Sequence, residues 1–438
     1  MLMKNKLAAL FIVAFLIRLI ALNQSLWLDE GTTARVAKDF SYLNIVTKFS
    51  PFDFHPPLYY WTIKAWMSIF GNSEIAIRFP SVIFSLLAGW FVYLLGGFWS
   101  AAFFLFNPLI VYYSQEARMY MMATFFLTAA LYYLFKLLRK NDTVCDLVLF
   151  LFFLSFSFLT FYGAVFLIVP MFIVLFYKKK YKAFIISCIL FSAICLSLSP
   201  LLLAQFIHSR EALKIVVNWH QILGGVNLKN LLLIPIKFAV GRISFSPKIV
   251  YYFSSAIWTL FIFYFVIRGS FKDKFLAFLL IGPILLGIIF SFFSPLLQYF
   301  RFLYLVPLVS MLVFIGTNKN KLFRYIIISG FVFLSLVYLL DPVYWREDWK
   351  NLVKILPGNE VYMVPSSSNP LLYYSPNLKI KNLLDVRKIR PIAKEITVVP
   401  YTADIYGFNY KEALKENGFS LKSEKSVRGL SYEVWKHL

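Results

Sequence analysis

The sequence predicts an all-α polytopic membrane protein that is followed by a small α/β domain. Of the 438 residues, 60% are hydrophobic and only 15% are charged, whereas soluble domains are roughly 45–50% apolar and about 25% charged. Apolar runs of about twenty residues, enough to span a bilayer, alternate with short basic clusters. This alternation ends at Leu340.

The net charge of +23 has a topological explanation. The basic residues lie in short clusters between apolar runs, for example 178–182, which is typical of cytoplasmic loops. The charge therefore indicates a multi-pass protein among membrane lipids and argues against a nucleic-acid partner.

The first span sets the predicted orientation. Lys4 and Lys6 precede the apolar run 7–22, which places the N-terminus in the cytoplasm by the positive-inside rule. The loop 23–75 is then outside. We expect an amphipathic helix along the membrane at 32–49 and a second helix that starts after Pro56-Pro57.

About eleven spans follow from the alternation of apolar and basic segments. A further apolar segment at 231–240, inside the loop 205–248, is too short to be counted as a span. An odd number of spans places the C-terminus outside the cytoplasmic membrane. The predicted spans are 7–22, 75–96, 99–113, 118–138, 144–160, 162–177, 183–204, 249–267, 275–293, 300–316 and 322–340.

Residues 341–438 form the predicted extracytoplasmic α/β domain, and residues 1–340 form the membrane domain. The C-terminal part holds 11 of the 21 acidic residues. Alternating apolar positions predict strands at 360–364, 395–399 and 431–435. A helix is expected at 410–417, because Gly418 follows it.

Carboxylates are concentrated in the first outer loop. Only ten acidic residues precede position 341, and five of them lie in this loop. Asp39 and Glu74 are interpreted as solvated surface charges. Asp29 and Glu30 follow the apolar Leu26-Trp27-Leu28, which holds them at the membrane face, where an ionisable group indicates function.

These residues occur in a recognisable order. The sequence resembles the GT-C membrane glycosyltransferases, and within them it is similar to protein O-mannosyltransferases and their bacterial relatives, which include the lipid A aminoarabinose transferase. The resemblance is strong to about residue 120 and looser beyond. The motifs that carry it are Asp29-Glu30, Phe52-Asp53-Phe54-His55-Pro56-Pro57-Leu58, Arg78-Phe79-Pro80-Ser81, Ser114-Gln115-Glu116-Ala117-Arg118-Met119-Tyr120, Gln298-Tyr299-Phe300-Arg301-Phe302-Leu303-Tyr304 and Trp345-Arg346-Glu347-Asp348-Trp349.

The resemblance implies a hexosyl- or pentosyltransferase that works by inversion. The donor is a polyprenyl-phosphate sugar, and the acceptor is a protein, lipid or glycan outside the cytoplasmic membrane. Inversion requires a general base on the acceptor hydroxyl. Asp29 is the candidate base, and Glu30 is expected to orient the acceptor or to support Asp29.

Three arginines are the candidates for binding the donor phosphate: Arg78, Arg118 and Arg301. Each is predicted near the outer end of a span, where arginine stabilises phosphate charge well. The alternative is that they extend to lipid headgroups.

His55 and Asp53 complete the candidate site. His55 is expected to bind the phosphate or position a carboxylate, or else to fix the Pro-Pro turn. Asp53 is expected to bind substrate, or else to cap backbone amides. We predict no obligatory metal, although a divalent cation on Asp29, Glu30 or His55 is compatible with the sequence.

Two other classes of protein stay open. A transporter or flippase of lipid-linked sugars would also have many spans, but it would carry charges in mid-span and repeated halves. A polysaccharide polymerase or ligase would use a lipid diphosphate donor, and its catalytic residues would lie in a later loop such as 205–248.

Overall fold

The computed structural model describes residues 2–318, 320–388 and 394–438, and most of them are helical. The α-helices are α1 Leu2–Leu19, α2 Leu28–Asp39, α3 Tyr42–Asn44, α4 Leu58–Phe70, α5 Glu74–Phe106, α6 Pro108–Ser114, α7 Tyr120–Leu137, α8 Val144–Thr160, α9 Val165–Tyr177, α10 Tyr181–Ile215, α11 Trp219–Leu223, α12 Leu228–Val240, α13 Lys248–Lys272, α14 Lys274–Ser291, α15 Val306–Thr317, α16 Lys321–Leu340, α17 Trp349–Ile355, α18 Asn369–Tyr374 and α19 Tyr410–Glu416. Single turns of 3₁₀-helix include Ser50–Phe52 and Tyr162–Ala164, and a longer one runs from Tyr299 to Leu305.

The long apolar helices confirm a polytopic helical membrane protein. Among the described residues, eight helical segments are long and apolar enough to cross a membrane, and two shorter apolar helices accompany them. Helix α1 has a similar length but carries Lys4, Lys6 and Arg18. The number of about eleven spans and the orientation of the termini stay predictions.

One predicted span, and one segment that was not counted as a span, differ from the expectation. The span expected at 99–113 is broken, because α5 ends at Phe106 and Pro108 starts the new helix α6, whose first amides are capped by Asn107. Before this span, α5 bends at Gly97 (φ 75°) without ending. The segment 231–240, which was predicted to be too short for a span, belongs to an apolar stretch, Gln221–Val240, that is long enough. The sequence estimate missed the residues that precede Leu228.

The loop 23–75 differs from the expected helix at 32–49 both at its start and in its middle, where α2 ends at Asp39 and α3 starts at Tyr42. Helix α2 begins at Leu28 instead of residue 32, because the Glu30 carboxylate accepts a hydrogen bond from the Trp27 amide (3.3 Å) and so closes the first turn. Asp29 and Glu30 therefore lie in a helix rather than in an irregular loop. As predicted, a second helix, α4, follows the two prolines.

The C-terminal region forms a five-stranded mixed sheet. The strands are β1 Glu360–Met363, β2 Lys379–Asn382, β3 Glu395–Val398, β4 Phe419–Val427 and β5 Leu430–His437, in the order β2-β1-β3-β5-β4. Strands β2, β1 and β3 are parallel, and β5 is antiparallel to both β3 and β4. The three predicted strands and the helix before Gly418 are confirmed to within two residues at each end. The boundary at 340/341 stays a prediction.

Helix α18 of this region packs on α2 next to the two carboxylates. Asn369 bonds both Thr32 (3.0 Å) and Arg35 (3.1 Å). A Cβ atom at Gly31 would lie 2.6 Å from the Pro370 Cα. The C-terminal sheet and the start of α2 are thus at the same end of the helical bundle.

Candidate active site

Glu30 and Arg78 form a buried ion pair at the start of α2. Both residues are almost fully buried. The Arg78 Nε and Nη2 donate to the two Glu30 carboxylate oxygens at 2.8 and 2.6 Å. The other Arg78 hydrogens bond the carbonyls of Leu22, Gln24 and Ser25. All five donors of the guanidinium are thereby used.

This geometry corrects two of the sequence expectations. Arg78 has no donor left for a phosphate, so it is not a phosphate ligand in this arrangement. Glu30 also accepts from the amide of Ala117 (2.7 Å), and its side chain is 1% exposed, so it does not contact an acceptor. The other predicted role of Glu30, support of Asp29, fits the structure, because Glu30 joins the start of α2 to the turn that carries Arg118.

Asp29 and Arg118 have the opposite environment. The Asp29 side chain is 38% exposed, and its Oδ2 lies 3.5 Å from Arg118 Nη2. Arg118 is buried and donates a long hydrogen bond to Thr33 (3.5 Å), and its Nε has no partner among the residues that the structure describes. A buried guanidinium with unused donors is costly, so this pair fits an added anion.

Asp53 and His55 lie beside this pair, as the sequence predicted. Tyr60 donates to Asp53 Oδ2 (2.7 Å), and His55 Nδ1 lies 3.4 Å from Asp53 Oδ1. Burial lowers the pKa of His55 below its ordinary value of 6.5, and Arg118 lowers it further, while Asp53 and Asp29 act in the opposite direction. The lowered pKa favours the neutral imidazole of His55.

The chain around His55 is held from α10. Gln205 Nε2 donates to the carbonyls of Ser50 (2.8 Å) and His55 (3.2 Å). An apolar cavity of about 520 Å³ lies beside the chain segment that carries His55. The segment 46–51, the start of α4, the end of α8 and part of α10 form its walls. Its lining includes Val46, Pro57, Trp61, Leu198 and Leu201.

Arg301 lies next to a cluster of aromatic rings that borders the site. Tyr120 packs against Phe161 and Phe300, with centroids 6.0 and 5.4 Å apart, and the Arg301 guanidinium lies 5.9 Å from the Phe300 ring. Its Nη1 donates to the carbonyls of Leu223 (3.3 Å) and Pro295 (3.1 Å). No carboxylate pairs with Arg301 among the described ion pairs.

A second cationic group borders the site, and the sequence arguments did not find all of it. Arg242 and Arg346 both donate to the Tyr112 hydroxyl. Arg346 also pairs with the buried Glu116 at 3.3 Å and lies 3.8 Å from the centroid of Trp27. The Glu116 and Arg346 motifs were matched by resemblance, whereas Arg242 had no motif. Two guanidiniums against one carboxylate give this group a net positive charge.

A metal site receives no support from the described residues. They contain no group of three or more His, Cys, Asp or Glu side chains that could hold a metal ion. Asp29 faces Arg118, Asp53 faces Tyr60 and His55, and Glu30 is enclosed by Arg78. The requirement for a divalent cation stays an open expectation.

Comparisons with known proteins agree with this architecture. Residues 54–204 match the family described as dolichyl-phosphate-mannose-protein mannosyltransferase. No curated protein matches the sequence significantly. In structure, the chain is similar to ArnT from Cupriavidus metallidurans in the apo state, with a TM-score of 0.61, 10% identity and 98% of each chain covered.

Two further structures have the same fold. ArnT from the same organism bound to undecaprenyl phosphate matches with a TM-score of 0.60, 10% identity and 98% of each chain covered. The Archaeoglobus fulgidus oligosaccharyltransferase in complex with Zn and sulfate matches with a TM-score of 0.52 and 12% identity, over 96% of this chain and 72% of that one. At these identities the likeness concerns the fold.

Proposed function

We propose that this chain is an inverting glycosyltransferase with a polyprenyl-phosphate sugar donor. The premise is that it is a GT-C superfamily protein of the PMT/ArnT type. The acceptor is a protein, lipid or glycan at the outer face of the cytoplasmic membrane. The observation that carries the proposal is the pairing of a partly exposed carboxylate, Asp29, with a buried arginine, Arg118, whose Nε has no partner.

Asp29 is the proposed general base. Its carboxylate takes the proton of the acceptor hydroxyl while the acceptor oxygen forms a bond to the anomeric carbon. The bond between this carbon and the phosphate oxygen breaks, and its electron pair leaves with the lipid phosphate. One carboxylate is enough because inversion forms no covalent intermediate.

Arg118 and Arg301 are the proposed phosphate ligands. The leaving phosphate gains negative charge, and donors already in place stabilise this charge without reorganisation. Arg118 has unused donors, and Arg301 binds only main-chain carbonyls. The group of Arg242 and Arg346 adds positive charge at the other side of Tyr112.

The remaining candidates position these groups. Asp53 is bound by Tyr60 and lies next to His55, so the neutral imidazole is available to donate to or accept from the donor. Glu30 and Arg78 hold the start of α2 against the turn before Arg118. The apolar cavity beside His55 is the proposed place for the polyprenyl chain, because its lining is almost entirely apolar. The structure of ArnT with undecaprenyl phosphate supports a donor of this kind.

Sugar transfer by the purified protein in nanodiscs tests the proposal. Wild type is incubated with a panel of radiolabelled polyprenyl-phosphate sugars and with a peptide, a glycolipid and an oligosaccharide as acceptors. We expect one donor to be consumed, and Asp29→Asn to reduce turnover by about 10²-fold or more, the scale expected of a general base.

Asp39→Asn is the matched control, because Asp39 lies on the same helix and forms an exposed pair with Arg35. It should transfer sugar at the wild-type rate. If wild type consumes no donor, or if Asp29→Asn is as active as wild type, the proposal fails. If the protein in proteoliposomes then moved an unmodified lipid-linked sugar across the vesicle membrane, a transporter would be favoured.

A further inference from the structure

The segment between α16 and α17 is clamped by a turn of the C-terminal sheet. Arg428, in the turn between β4 and β5, donates from Nε to the carbonyl of Arg346 (2.8 Å). The amide of Asp348 donates back to the Arg428 carbonyl (2.9 Å). A Cβ atom at Gly429 would lie 3.2 Å from the Glu347 Cγ, so the turn packs directly against Glu347.

Arg346 connects this clamped segment to the candidate active site. Its guanidinium lies over the ring of Trp27, at 3.8 Å from the centroid, and pairs with Glu116. Trp27 is two residues before Asp29 in the chain. Glu347, the next residue, is therefore held at the edge of the site by contacts on both sides of it.

The Glu347 carboxylate has one satisfied oxygen and one that is not. Its Oε1 accepts from the Tyr401 hydroxyl (3.1 Å), whereas Oε2 is buried and has no hydrogen-bond partner within 2–318, 320–388 and 394–438. Tyr401 itself packs on Trp349, with ring centroids 4.9 Å apart. A buried carboxylate oxygen without a donor costs free energy, so a donor from a ligand would stabilise it.

The Tyr401 hydroxyl that bonds this carboxylate also experiences the charge of Asp29. Burial raises the pKa of the Tyr401 hydroxyl, and the charges of Glu347 and Asp29 both raise it further. Tyr401 thus lies within the electrostatic range of the two carboxylates, one from α2 and one from the C-terminal region. Because Arg346 lies over Trp27, two residues before Asp29, the adjacent Glu347 is on the side of the site that carries the start of α2.

We propose that Glu347 is an acceptor-binding residue that accepts an O–H or N–H hydrogen bond from the acceptor through its Oε2. The inference rests on the proposed function and deepens it. It assigns a carboxylate of the C-terminal region to the acceptor rather than to the donor. It also predicts that the acceptor carries a hydroxyl or ammonium group besides the hydroxyl that receives the sugar.

Glu347→Gln tests this assignment. The amide oxygen of the glutamine can still accept from Tyr401, while the NH₂ group replaces the unpaired oxygen and cannot accept. With the acceptor that wild type uses in the panel above, we expect the KM for the acceptor to rise about 10- to 100-fold, as for a lost hydrogen bond to a charged group. The KM for the polyprenyl-phosphate donor should not change.

Two more variants sharpen the test. Tyr401→Phe removes the bond that orients Glu347, so it should raise the acceptor KM less than Glu347→Gln does. Glu360→Gln changes an exposed carboxylate of strand β1, 3.9 Å from Lys381, and should leave both KM values unchanged. Acceptors that differ only by acetylation of an amine distinguish an ammonium from a hydroxyl, because acetylation removes the charge.

The possible outcomes distinguish a failure of the Glu347 assignment from a failure of the proposed function. An unchanged acceptor KM in Glu347→Gln, or a raised donor KM, would overturn the assignment of Glu347 while wild-type transfer still stands. No transfer by wild type would overturn the proposed function and this assignment with it. Thermal stabilisation of both proteins by undecaprenyl phosphate checks that the donor site of the variant is intact.

Discussion

Two neighbouring carboxylates in the first turn of α2 pair with arginines in opposite ways. Glu30 is 1% exposed, and its partner Arg78 makes five hydrogen bonds to protein atoms. Asp29 is 38% exposed, and its partner Arg118 lies 3.5 Å away with an unpaired Nε. The first pair is complete without a ligand, whereas the second has unused donors and an accessible base.

The contrast indicates that the two ion pairs have different roles, although both carboxylates lie in one helical turn. The complete pair fixes where α2 begins, because Glu30 bonds the amides of Trp27 and Ala117 as well as Arg78. The second pair, Asp29 and Arg118, is held next to the first pair, and the Arg118 Nε is bonded by no described residue. Changes to the first pair should therefore affect stability, and changes to the second should affect substrates.

Removal of the Arg78 guanidinium should have the largest effect. Arg78→Gln leaves the buried Glu30 charge unpaired and three carbonyls without donors, so we expect a loss of about 3–5 kcal/mol in the free energy of unfolding. Thermal or denaturant unfolding in detergent measures it. The control Arg387→Gln breaks an exposed 3.8 Å pair with Glu416 and should cost about 1 kcal/mol or less. If Arg78→Gln and Arg387→Gln were equally stable, the structural role of Arg78 would be contradicted.

Removal of the Arg118 guanidinium should act on the donor. Arg118→Gln takes away charge-assisted hydrogen bonds worth about 1.5–3 kcal/mol, so the affinity for undecaprenyl phosphate should fall about 10- to 100-fold. Binding in nanodiscs, followed by tryptophan fluorescence, measures this change. An affinity equal to that of wild type would exclude Arg118 as a phosphate ligand.

Contact between α2 and the C-terminal region gives the next effect. Gly31→Ala places a Cβ atom 2.6 Å from the Pro370 Cα, and such overpacking costs about 1–3 kcal/mol. Since Gly31 follows Glu30, the variant should lower both the unfolding temperature and turnover. Gly225→Ala, where an added Cβ meets nothing within 4 Å, is the control. Wild-type stability of Gly31→Ala would contradict the packing of α18 on α2.

The smallest effect concerns pH. The pKa of His55 is lower in the folded protein than its ordinary value of 6.5, so the unfolded chain binds more protons between the two values. Stability should therefore fall as the pH drops below about 6.5 and through the folded pKa. His55→Gln should reduce this slope in unfolding measurements between pH 7 and pH 5. A slope that is the same in both proteins would show that His55 does not titrate in this way.

Much of the fold could be predicted from local patterns. The apolar runs predicted the membrane helices, and period-two alternation predicted strands β1, β3 and β5 to within a few residues. Asp29, Asp53, His55 and Arg118 were recognised from their motifs, and the structure brings them together.

The rest depended on contacts between distant parts of the chain. Nothing near Arg78 in sequence indicates that its donors are used by residues 22–30, so its role was misassigned. Helix α2 starts early because the Glu30 carboxylate bonds the Trp27 amide, and this carboxylate is held in place by Arg78 and Ala117, which lie 48 and 87 residues away. Arg242 lies in no motif, and only the fold places it on Tyr112 beside Arg346.

The most direct test of this contrast compares Asp29→Asn with Glu30→Gln in the same assays of sugar turnover and thermal unfolding. We expect Asp29→Asn to unfold at the wild-type temperature and to bind undecaprenyl phosphate, but to lose about 10²-fold or more in turnover. Glu30→Gln should instead unfold at a clearly lower temperature, because it breaks a buried ion pair. If Asp29→Asn keeps its turnover, or if Glu30→Gln is as stable as wild type, the division between the two pairs is wrong.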